Sequence, residues 1–522
     1  MKRLIIINCY VVFLLAGFTS CNKQLKDDYY DPEKTTIGYP GQLFTYMLNN
    51  DRILPTYWDY ATFITGVTAK YSQIFGISTS FKMYQPSAGY NQDRWTSYYT
   101  NGILNQYREI QKNYNNLSPL AKPDQYVFTQ VSKVVFYDQT AQMVDLWGDI
   151  PFSEAGSLNA TNIFSTAKFD DAASIYNTII SDLKDLNMYF DTVKLSNASA
   201  KSLAAQDILL KGNLTLWRKY TNSLRLRLLM RISNVDEATA KAAVTEMLND
   251  QNTYPLVNNN DENILLKMNP PSFKSDIRDG LTDLATSSGP VAPAYLLETV
   301  MVANNDPRTP VLWDPGILGT YKGLDPLLPA DGQDSLISKH YVSNIDSATF
   351  TMNYNVPGTL FTAAEVSFLK AEAYERWNLG TAQTAYETGI KQSIAFYYSL
   401  NQSAIFRTPF SKPSLPTPDD ATINAFIAGS GIAYSGTPDQ KIQKIWTQKW
   451  LNFFVLQAGQ AWTEVRRTGY PALTFATDGS GVTSLPPKRL MYPDTEKSYN
   501  TENYNAVSSK DTPDKKIFWE VN

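Results

Sequence analysis

The fold is decided by one apolar stretch, VFTQVSKVVFYDQTAQMVDLW, at residues 127–147. Its apolar side chains recur three, four or seven residues apart, at Val127, Val131, Val134, Ala141 and Val144. This spacing places them on one face of a long helix. A second helical pattern precedes it, at Trp95, Tyr98, Ile103, Tyr107 and Ile110. The two patterns predict a pair of helices that pack against each other.

Outward from this pair, the same periodicity returns along the chain. It predicts further paired helices near residues 170–232 and 361–400, with apolar stripes at Trp217, Tyr220, Leu224 and Leu228 and at Val366, Leu369, Ala373 and Trp377. Helix starts are predicted at Thr437 and Thr417, and a stop and restart at Gly380 and Thr381. Close helix pairs favour an all-α fold, a tetratricopeptide-like α-α superhelix, over a generic helical domain.

Three regions do not follow helical periodicity. Residues 75–92, about 252–358 and 470–516 are rich in Pro, Gly, Asn, Asp and Ser, with scattered aromatic residues. Long irregular stretches in a compact protein are usually functional or contain short elements. We therefore expect a single helical domain over 37–522 that carries large loop-rich insertions, the main one at about 252–358.

The composition excludes several classes of protein. The 522 residues include one His, two Cys, 10 Trp, 33 Tyr and 24 Phe, with 46 basic and 50 acidic residues. A single histidine, His340, rules out a two-His zinc site and makes a catalytic triad unlikely; it is expected to be exposed in a loop. A mildly acidic chain is a poor match for nucleic acid. Many aromatic residues and few charges suit a neutral ligand.

The first residues have the layout of a secretory leader. Lys2 and Arg3 precede the apolar run 4–15, and small or polar residues lead into Cys21. The run is short of the roughly 20 residues that a transmembrane helix needs. Residues 15–21, LAGFTSC, resemble a bacterial lipoprotein signal. The resemblance predicts a signal peptide at 1–20, lipidation at Cys21 and a polar tether at 21–36.

Seven segments in order along the chain resemble those of one family. They are WGDIPF (147–152), KYTNSLRLR (219–227), NDPRT (305–309), TAAEVSFLKAEA (362–373), QKWL (448–451), WTEVRRTGYP (462–471) and LPPKRLMYP (485–493). The family is that of the SusD/RagB-like outer-membrane nutrient-binding lipoproteins of Bacteroidetes. The resemblance implies a lipid-anchored protein at the cell surface that caps a SusC-like TonB-dependent transporter and passes it a nutrient, usually a glycan. It implies no catalysis. No cofactor and no metal site are predicted, and a structural metal stays open.

The charged residues of these segments are interpreted mainly as structural. Trp462, Glu464, Arg466 and Arg467 are expected to form a buried or half-buried ion pair at a helix end. Glu372 and Arg376 are four residues apart, as in a solvated pair on a helix face. Three further arginines are expected to form a solvated or partner-paired face, namely Arg225, Arg227 and Arg231.

Ligand-binding candidates are aromatic residues outside the helical stripes, together with nearby polar residues, because sugars stack on rings and bond through hydroxyls. The aromatic candidates are Tyr57, Trp58, Phe81, Tyr84, Tyr90, Phe273, Trp313 and Tyr321, and the polar ones are Asn91, Asp93, Arg94 and Asp314. If the loops converge, Tyr84, Tyr90, Trp313 and Tyr321 are expected to form a shallow platform facing the transporter.

Two other functions stay open. A helical glycoside hydrolase would need two carboxylates at a set separation, but the acidic pairs Asp27-Asp28, Asp170-Asp171 and Asp419-Asp420 are better explained as tether and helix starts. An adhesion lipoprotein would need no transporter. The ligand itself could be a glycan, a glycopeptide or a peptide.

Overall fold

The computed structural model describes residues 38–100, 102–158, 166–270, 272–281, 290–406, 409–481 and 485–521. These residues confirm the all-α fold, because helices dominate them and the strands have two to four residues each. None of the described helices is long and apolar enough to cross a membrane. The predicted leader, Cys21 and the tether lie outside the described residues.

Within the described part of the chain, the first half folds mainly into α-helices longer than one turn. They are α1 (Pro40–Leu48), α2 (Ala88–Tyr99), α3 (Ile103–Asn116), α4 (Lys122–Trp147), α5 (Ala172–Thr192), α6 (Asn197–Gln206), α7 (Leu214–Ile232) and α8 (Glu237–Asn249). Helix α3 packs on α4, and α5 packs on α7. The pair predicted from the stretch 127–147 is confirmed in part, because the predicted partner helix over residues 95–110 is divided into α2, which ends at Tyr99, and α3, which begins at Ile103. Helix α4 ends where Gly148 takes a positive φ of 76°.

In the second half, the described residues form further α-helices of very different lengths. They are α9 (Thr309–Leu312), α10 (Ala330–Ser338), α11 (Ala363–Trp377), α12 (Ala382–Gln402), α13 (Asp420–Ala428), α14 (Pro438–Phe453), α15 (Ala458–Thr468), α16 (Asp494–Tyr499) and α17 (Thr501–Val507). Helix α11 packs on α12 and α14. The predicted capping box at Thr437 and Gln440 is present.

Two predicted helix boundaries shift. Helix α13 is capped by Asp419 rather than Thr417, because its carboxylate accepts the backbone N–H of Thr422 at 2.8 Å. Asn378, the residue after the last turn of α11, takes the left-handed conformation that was expected of Gly380. Asn tolerates this conformation better than other residues with a side chain.

The loop-rich insertion contains short elements of its own. Strand β3 (Ile264–Leu266) pairs antiparallel with β6 (Gly358–Phe361) and closes the base of the insertion. Strand β4 (Trp313–Asp314) pairs with β5 (Asn344–Ile345), and β1 (Ile150–Pro151) pairs with β2 (Phe169–Asp170) outside it. Single turns of 3₁₀ or π geometry are Asn260–Glu262, Tyr295–Met301, Val302–Asn304 and Ser347–Thr351, with Val455–Gln457 and Ser508–Lys510 further on.

Two large apolar clusters form the core. The first lies among α1 to α8 and includes Trp147 and Trp217. The second joins the insertion to α11, α12, α14 and α15 and includes Trp313 and Trp450. The irregular region 252–358 thus contributes many residues to a core, whereas its stretch 317–341 lies mostly at the surface.

The segment after α15 returns to the first half of the chain. The backbone N–H of Leu490 donates to Leu146 O at 2.8 Å, and Tyr492 donates its hydroxyl to Asp149 O at 2.7 Å. Trp519 is fully buried in the first cluster and donates its indole N–H to Asp145 Oδ1 at 2.9 Å. Residues distant in sequence therefore complete the packing around the end of α4.

A buried ion network lies between the two halves. Arg467 contacts Glu464 and Glu372 at 2.8 Å each, and Lys449 contacts the same carboxylates at 2.7 and 3.0 Å. Burial alone would raise the pKa of Glu372, but Arg467 and Lys449 lower it to about 2. The predicted structural role of Glu464 and Arg467 is confirmed. The predicted pair of Glu372 with Arg376 is present at 3.6 Å, but it is not solvated, because Glu372 faces this network and has no exposed surface.

The arginines of α7 are partner-paired and not solvated. Arg227 donates to both oxygens of Glu365 at 2.6 and 2.7 Å. The guanidinium of Arg231 lies 2.8 Å from the carboxylate of Asp145. The guanidinium of Arg225 stacks on the ring of Tyr254 and lies 4.0 Å from the carboxylate of Glu246. All three side chains are buried because α7 lies between α5 and α11 and has little surface facing solvent.

Candidate functional site

Three aromatic side chains meet on the surface beside the start of α2. Trp58 is 46% exposed and Tyr90 is 41% exposed. Their rings lie edge to face with centroids 5.3 Å apart, and the half-buried ring of Tyr57 lies 6.3 Å from Trp58. We call Tyr57, Trp58 and Tyr90 the aromatic platform. Exposed rings in contact with one another are typical of a binding surface and not of a core.

The backbone beneath the aromatic platform is a π-helix, Asp59–Thr68, which continues as an α-turn over Ala69–Tyr71. Asp59 at its first position accepts the hydroxyl of Thr56 at 2.9 Å and pairs with Arg94 of α2 at 3.1 Å. The guanidinium of Arg94 also stacks on Phe63 at 4.4 Å. Burial lowers the pKa of Arg94, and Asp59 opposes this shift. The ion pair ties the π-helix to α2 and fixes Trp58 relative to Tyr90.

Polar groups border the aromatic platform on one side. Trp58 donates its indole N–H to Asp93 Oδ2 at 3.3 Å, and Asp93 itself is exposed. A carboxylate beside exposed rings can accept hydrogen bonds from the hydroxyl groups of a sugar that stacks on them. The structure thus brings together five of the sequence-predicted residues: Tyr57, Trp58, Tyr90, Asp93 and Arg94.

Two aromatic candidates of the loop 75–92 lie elsewhere. Tyr84 is 3% exposed, and its ring meets Phe475 edge to face at 5.8 Å. Burial and Asp478 raise its pKa to about 12. The expectation that Tyr84 is an exposed loop ring is wrong, because this loop is bound to residues 475–480. Phe81 is 70% exposed and lies against Gly479, with Lys82 at 5.3 Å from its ring.

The candidates of the insertion do not reach the aromatic platform. Trp313 is fully buried, edge to face with Phe454 at 5.2 Å. Asp314 accepts a hydrogen bond from Lys412 Nζ at 2.5 Å and another from the backbone N–H of Ser347 at 2.9 Å. Tyr321 packs on the second apolar cluster and Phe273 on the first. The predicted platform of Tyr84, Tyr90, Trp313 and Tyr321 is therefore wrong, since two of its four rings are core residues.

A cavity of about 360 Å³ lies beside the first turn of α2. Its walls combine the loop before α2 with the segment 485–493, and include Tyr84, Asn91, Arg489 and Tyr492. Asn91 donates its amide to Met491 O at 2.8 Å and joins the two walls. The sequence predicted Asn91 as a ligand group but not Arg489 or Tyr492. Both residues lie in the Pro-rich segment LPPKRLMYP, which the sequence analysis used only as evidence for the family resemblance.

The two carboxylates beside the aromatic platform are both engaged. Asp59 is held by Arg94 and Asp93 by Trp58, so neither carboxylate is placed as one of a free catalytic pair. Within the described ranges, no group of three or more His, Cys, Asp or Glu residues is placed to hold a metal ion. His340 is exposed, as expected.

Comparison with known proteins gives a family and a fold. The sequence profile of a SusD-like family, described as starch-binding and associating with the outer membrane, matches residues 34–493. No curated protein matches the chain.

Solved structures with this fold cover nearly the whole chain. A chitin-binding protein is 23% identical, with a TM-score of 0.75 over 92% of this chain and 100% of its own. A SusD homologue from Bacteroides fragilis is 20% identical, with a TM-score of 0.71 over 92% and 100%. A chitin-binding SusD homologue from Flavobacterium johnsoniae is 23% identical, with a TM-score of 0.70 over 92% and 99%. At these identities the likeness establishes the fold.

Proposed function

Because the chain belongs to the SusD-like family, we propose that it is a cell-surface lipoprotein that binds a glycan nutrient and passes it to a SusC-like TonB-dependent transporter. The family description supports a carbohydrate ligand and association with the outer membrane. The lipid anchor, the transporter partner and the hand-off are parts of the proposal. The alternatives are an adhesion lipoprotein without a transporter and a glycoside hydrolase of the same fold.

The observation that carries the proposal is the aromatic platform. Exposed aromatic rings cover the apolar face of a pyranose, and Asp93 beside them can bond its hydroxyls. The Asp59–Arg94 pair holds the rings before any ligand arrives. A preformed surface loses less conformational entropy on binding than a mobile one.

Two classes of oligosaccharide are the first ligands to test. Two solved structures with this fold are described as chitin-binding. The family description names starch. We therefore propose β-linked N-acetylglucosamine oligomers and α-linked glucose oligomers as the leading candidates.

The test of binding is titration calorimetry of the purified chain without residues 1–20, against a panel of soluble glycans that includes both of these classes. We expect saturable binding of at least one glycan and no product after long incubation. Binding of none would contradict the proposal. Hydrolysis that disappears when one Asp or Glu is mutated would favour the glycosidase.

The membrane anchor and the partner are tested in cells. We propose that Cys21 is acylated, so Cys21→Ala should release the protein from the membrane fraction. Purification of the intact lipoprotein should bring a SusC-like barrel with it. A protein that stays membrane-bound without Cys21, after cleavage of the leader, would contradict the anchor. Membrane-bound protein without any barrel would favour adhesion.

A further inference from the structure

A second groove lies along one face of α14, in the second half of the chain. Four polar residues of α14 line it, and their spacing of three, four and seven places them on the same side of the helix: Gln440, Gln443, Lys444 and Thr447. The groove has a volume of about 520 Å³, within the range of roughly 300–1,000 Å³ that ligand sites occupy. None of the three residues of the aromatic platform lines it. We call it the α14 groove, and it is a separate candidate site.

One wall of the α14 groove is the loop 430–436, which other parts of the chain hold in place. Lys444 donates its ammonium group to Ala433 O at 2.7 Å. Tyr386 of α12 donates its hydroxyl to Ile432 O at 2.8 Å. This wall is therefore formed before a ligand arrives, which lowers the entropic cost of binding.

Two tyrosines line the α14 groove away from this loop. Tyr295 begins the π-helical turn Tyr295–Met301, and Tyr470 follows the end of α15. The backbone N–H of Tyr470 donates to Thr468 Oγ1 at 3.0 Å, which fixes the position of this residue. Burial and the neighbouring Tyr470 raise the pKa of Tyr295, so its hydroxyl stays protonated and can donate at neutral pH.

Several polar groups of the α14 groove are both accessible and unused. Thr299 is exposed, and Gln443, Tyr295 and Tyr470 are half-buried, so a ligand in the groove can reach all four side chains. Among the described residues, none of these four side chains has a hydrogen-bond partner. All four are uncharged, and each can both donate and accept a hydrogen bond.

The hydroxyl groups of an uncharged sugar have the complementary chemistry, because each of them also donates and accepts. A phosphate or carboxylate would favour a free cationic partner, but the ammonium group of Lys444 is already used on the loop 430–436. An extended peptide would favour a free strand edge, whereas helical turns, α14 and this loop line the groove. The residues of the groove therefore favour a glycan.

We propose that the α14 groove is a second glycan-binding site, which takes a segment of uncharged sugar units that carry only hydroxyl substituents. The inference rests on the proposed function and adds a point of capture that does not use the aromatic platform. The two rings of the groove are half-buried and offer less surface for stacking than Trp58. We therefore expect the α14 groove to bind glycan more weakly than the aromatic platform does.

The test removes the aromatic platform and measures the binding that remains. The double variant Trp58→Ala/Tyr90→Ala lacks both exposed rings, and calorimetry measures its affinity for maltohexaose and cellohexaose, two unsubstituted glucose hexamers. We expect saturable binding of at least one of them, at one site per chain. Adding Gln443→Leu keeps the approximate size of the side chain but removes its hydrogen-bonding groups. It should weaken this binding at least tenfold, because sugar hydroxyls lose their partners.

The matched control is Gln383→Leu in the same double variant, which makes the same change at an exposed position of α12 outside the α14 groove. It should keep the affinity of the double variant, and all of these proteins should melt near the wild-type temperature. A double variant that binds neither hexamer, or equal affinities after Gln443→Leu and Gln383→Leu, would overturn the second site and leave the proposed function standing. Wild-type protein that binds no glycan of the wider panel would overturn both.

Discussion

The dipeptide Trp-Asp occurs in two candidate regions of this chain, with opposite outcomes. Trp58-Asp59 and Trp313-Asp314 each carry an ion pair, Asp59 with Arg94 and Asp314 with Lys412. Yet Trp58 is 46% exposed and Trp313 is fully buried. The difference comes from what packs against each ring. The distant Phe454 covers Trp313, whereas Trp58 meets Tyr57 and Tyr90. The ion-pair partners lie 35 and 98 positions away, so the shared dipeptide determines neither ion pair, and long-range packing decides the role of each ring.

The largest effect is expected where the ring is buried. Trp313→Ala should lower the free energy of unfolding by about 3–5 kcal/mol, because it leaves a large cavity in the second apolar cluster. Thermal and denaturant unfolding measure the loss. Glycan affinity of the folded protein should stay within about twofold of wild type. A stable variant that no longer binds would reverse the contrast and return Trp313 to the binding surface.

The next effect is on affinity. Trp58→Ala should weaken glycan binding by about ten- to hundredfold, or roughly 1–3 kcal/mol, because a stacking ring is lost. Its melting temperature should change little, since the ring is largely exposed. Tyr46→Ala is the matched control, because Tyr46 is 55% exposed on α1 and lies outside the aromatic platform. Calorimetry should show wild-type affinity for the control; equal losses in both variants would contradict a specific platform.

The third effect is a pH-dependent loss of stability at Asp314. Burial alone would raise the pKa of Asp314, but the hydrogen bond from Lys412 lowers it. A carboxylate with a lowered pKa stabilises the fold above its unfolded pKa, and this contribution disappears as the pH falls through the folded pKa. Asp314→Asn should therefore cost about 1 kcal/mol at pH 7, a figure discounted for partial exposure, and progressively less as the pH falls below the ordinary aspartate pKa of about 3.9. Urea unfolding at both pH values measures the change, and a loss of glycan affinity instead would place Asp314 in the binding site.

The smallest effect is expected at Phe81, which is the most exposed of the candidate rings at 70%. Phe81→Ala should change the free energy of unfolding by less than about 0.5 kcal/mol, as is usual for surface positions. Affinity should fall less than about threefold, because this ring contacts Gly479 and Lys82 rather than the aromatic platform. A loss as large as that of Trp58→Ala would extend the binding surface to the loop at Phe81.

The sequence predicted the helical frame well, because long apolar stripes such as that of α4 depend on spacing alone. It also predicted that Glu464 and Arg467 form a buried pair. It could not predict the burial of Tyr84 or Trp313, which depends on Phe475 and Phe454, nearly 400 and about 140 positions away. The cavity was missed for the same reason, since Asn91 and Met491 are separated by 400 residues.

The return of the segment after α15 to the first half has a consequence for how this chain is made. Asp145, at the end of α4, receives the indole N–H of Trp519, a residue 374 positions later. A contact between positions this far apart closes a very long loop, so we expect it to form late in folding. Until it forms, the surface around Asp145 that Trp519 covers is open to water. A chain cut before Trp519 should therefore be recovered as aggregate rather than as a smaller folded protein.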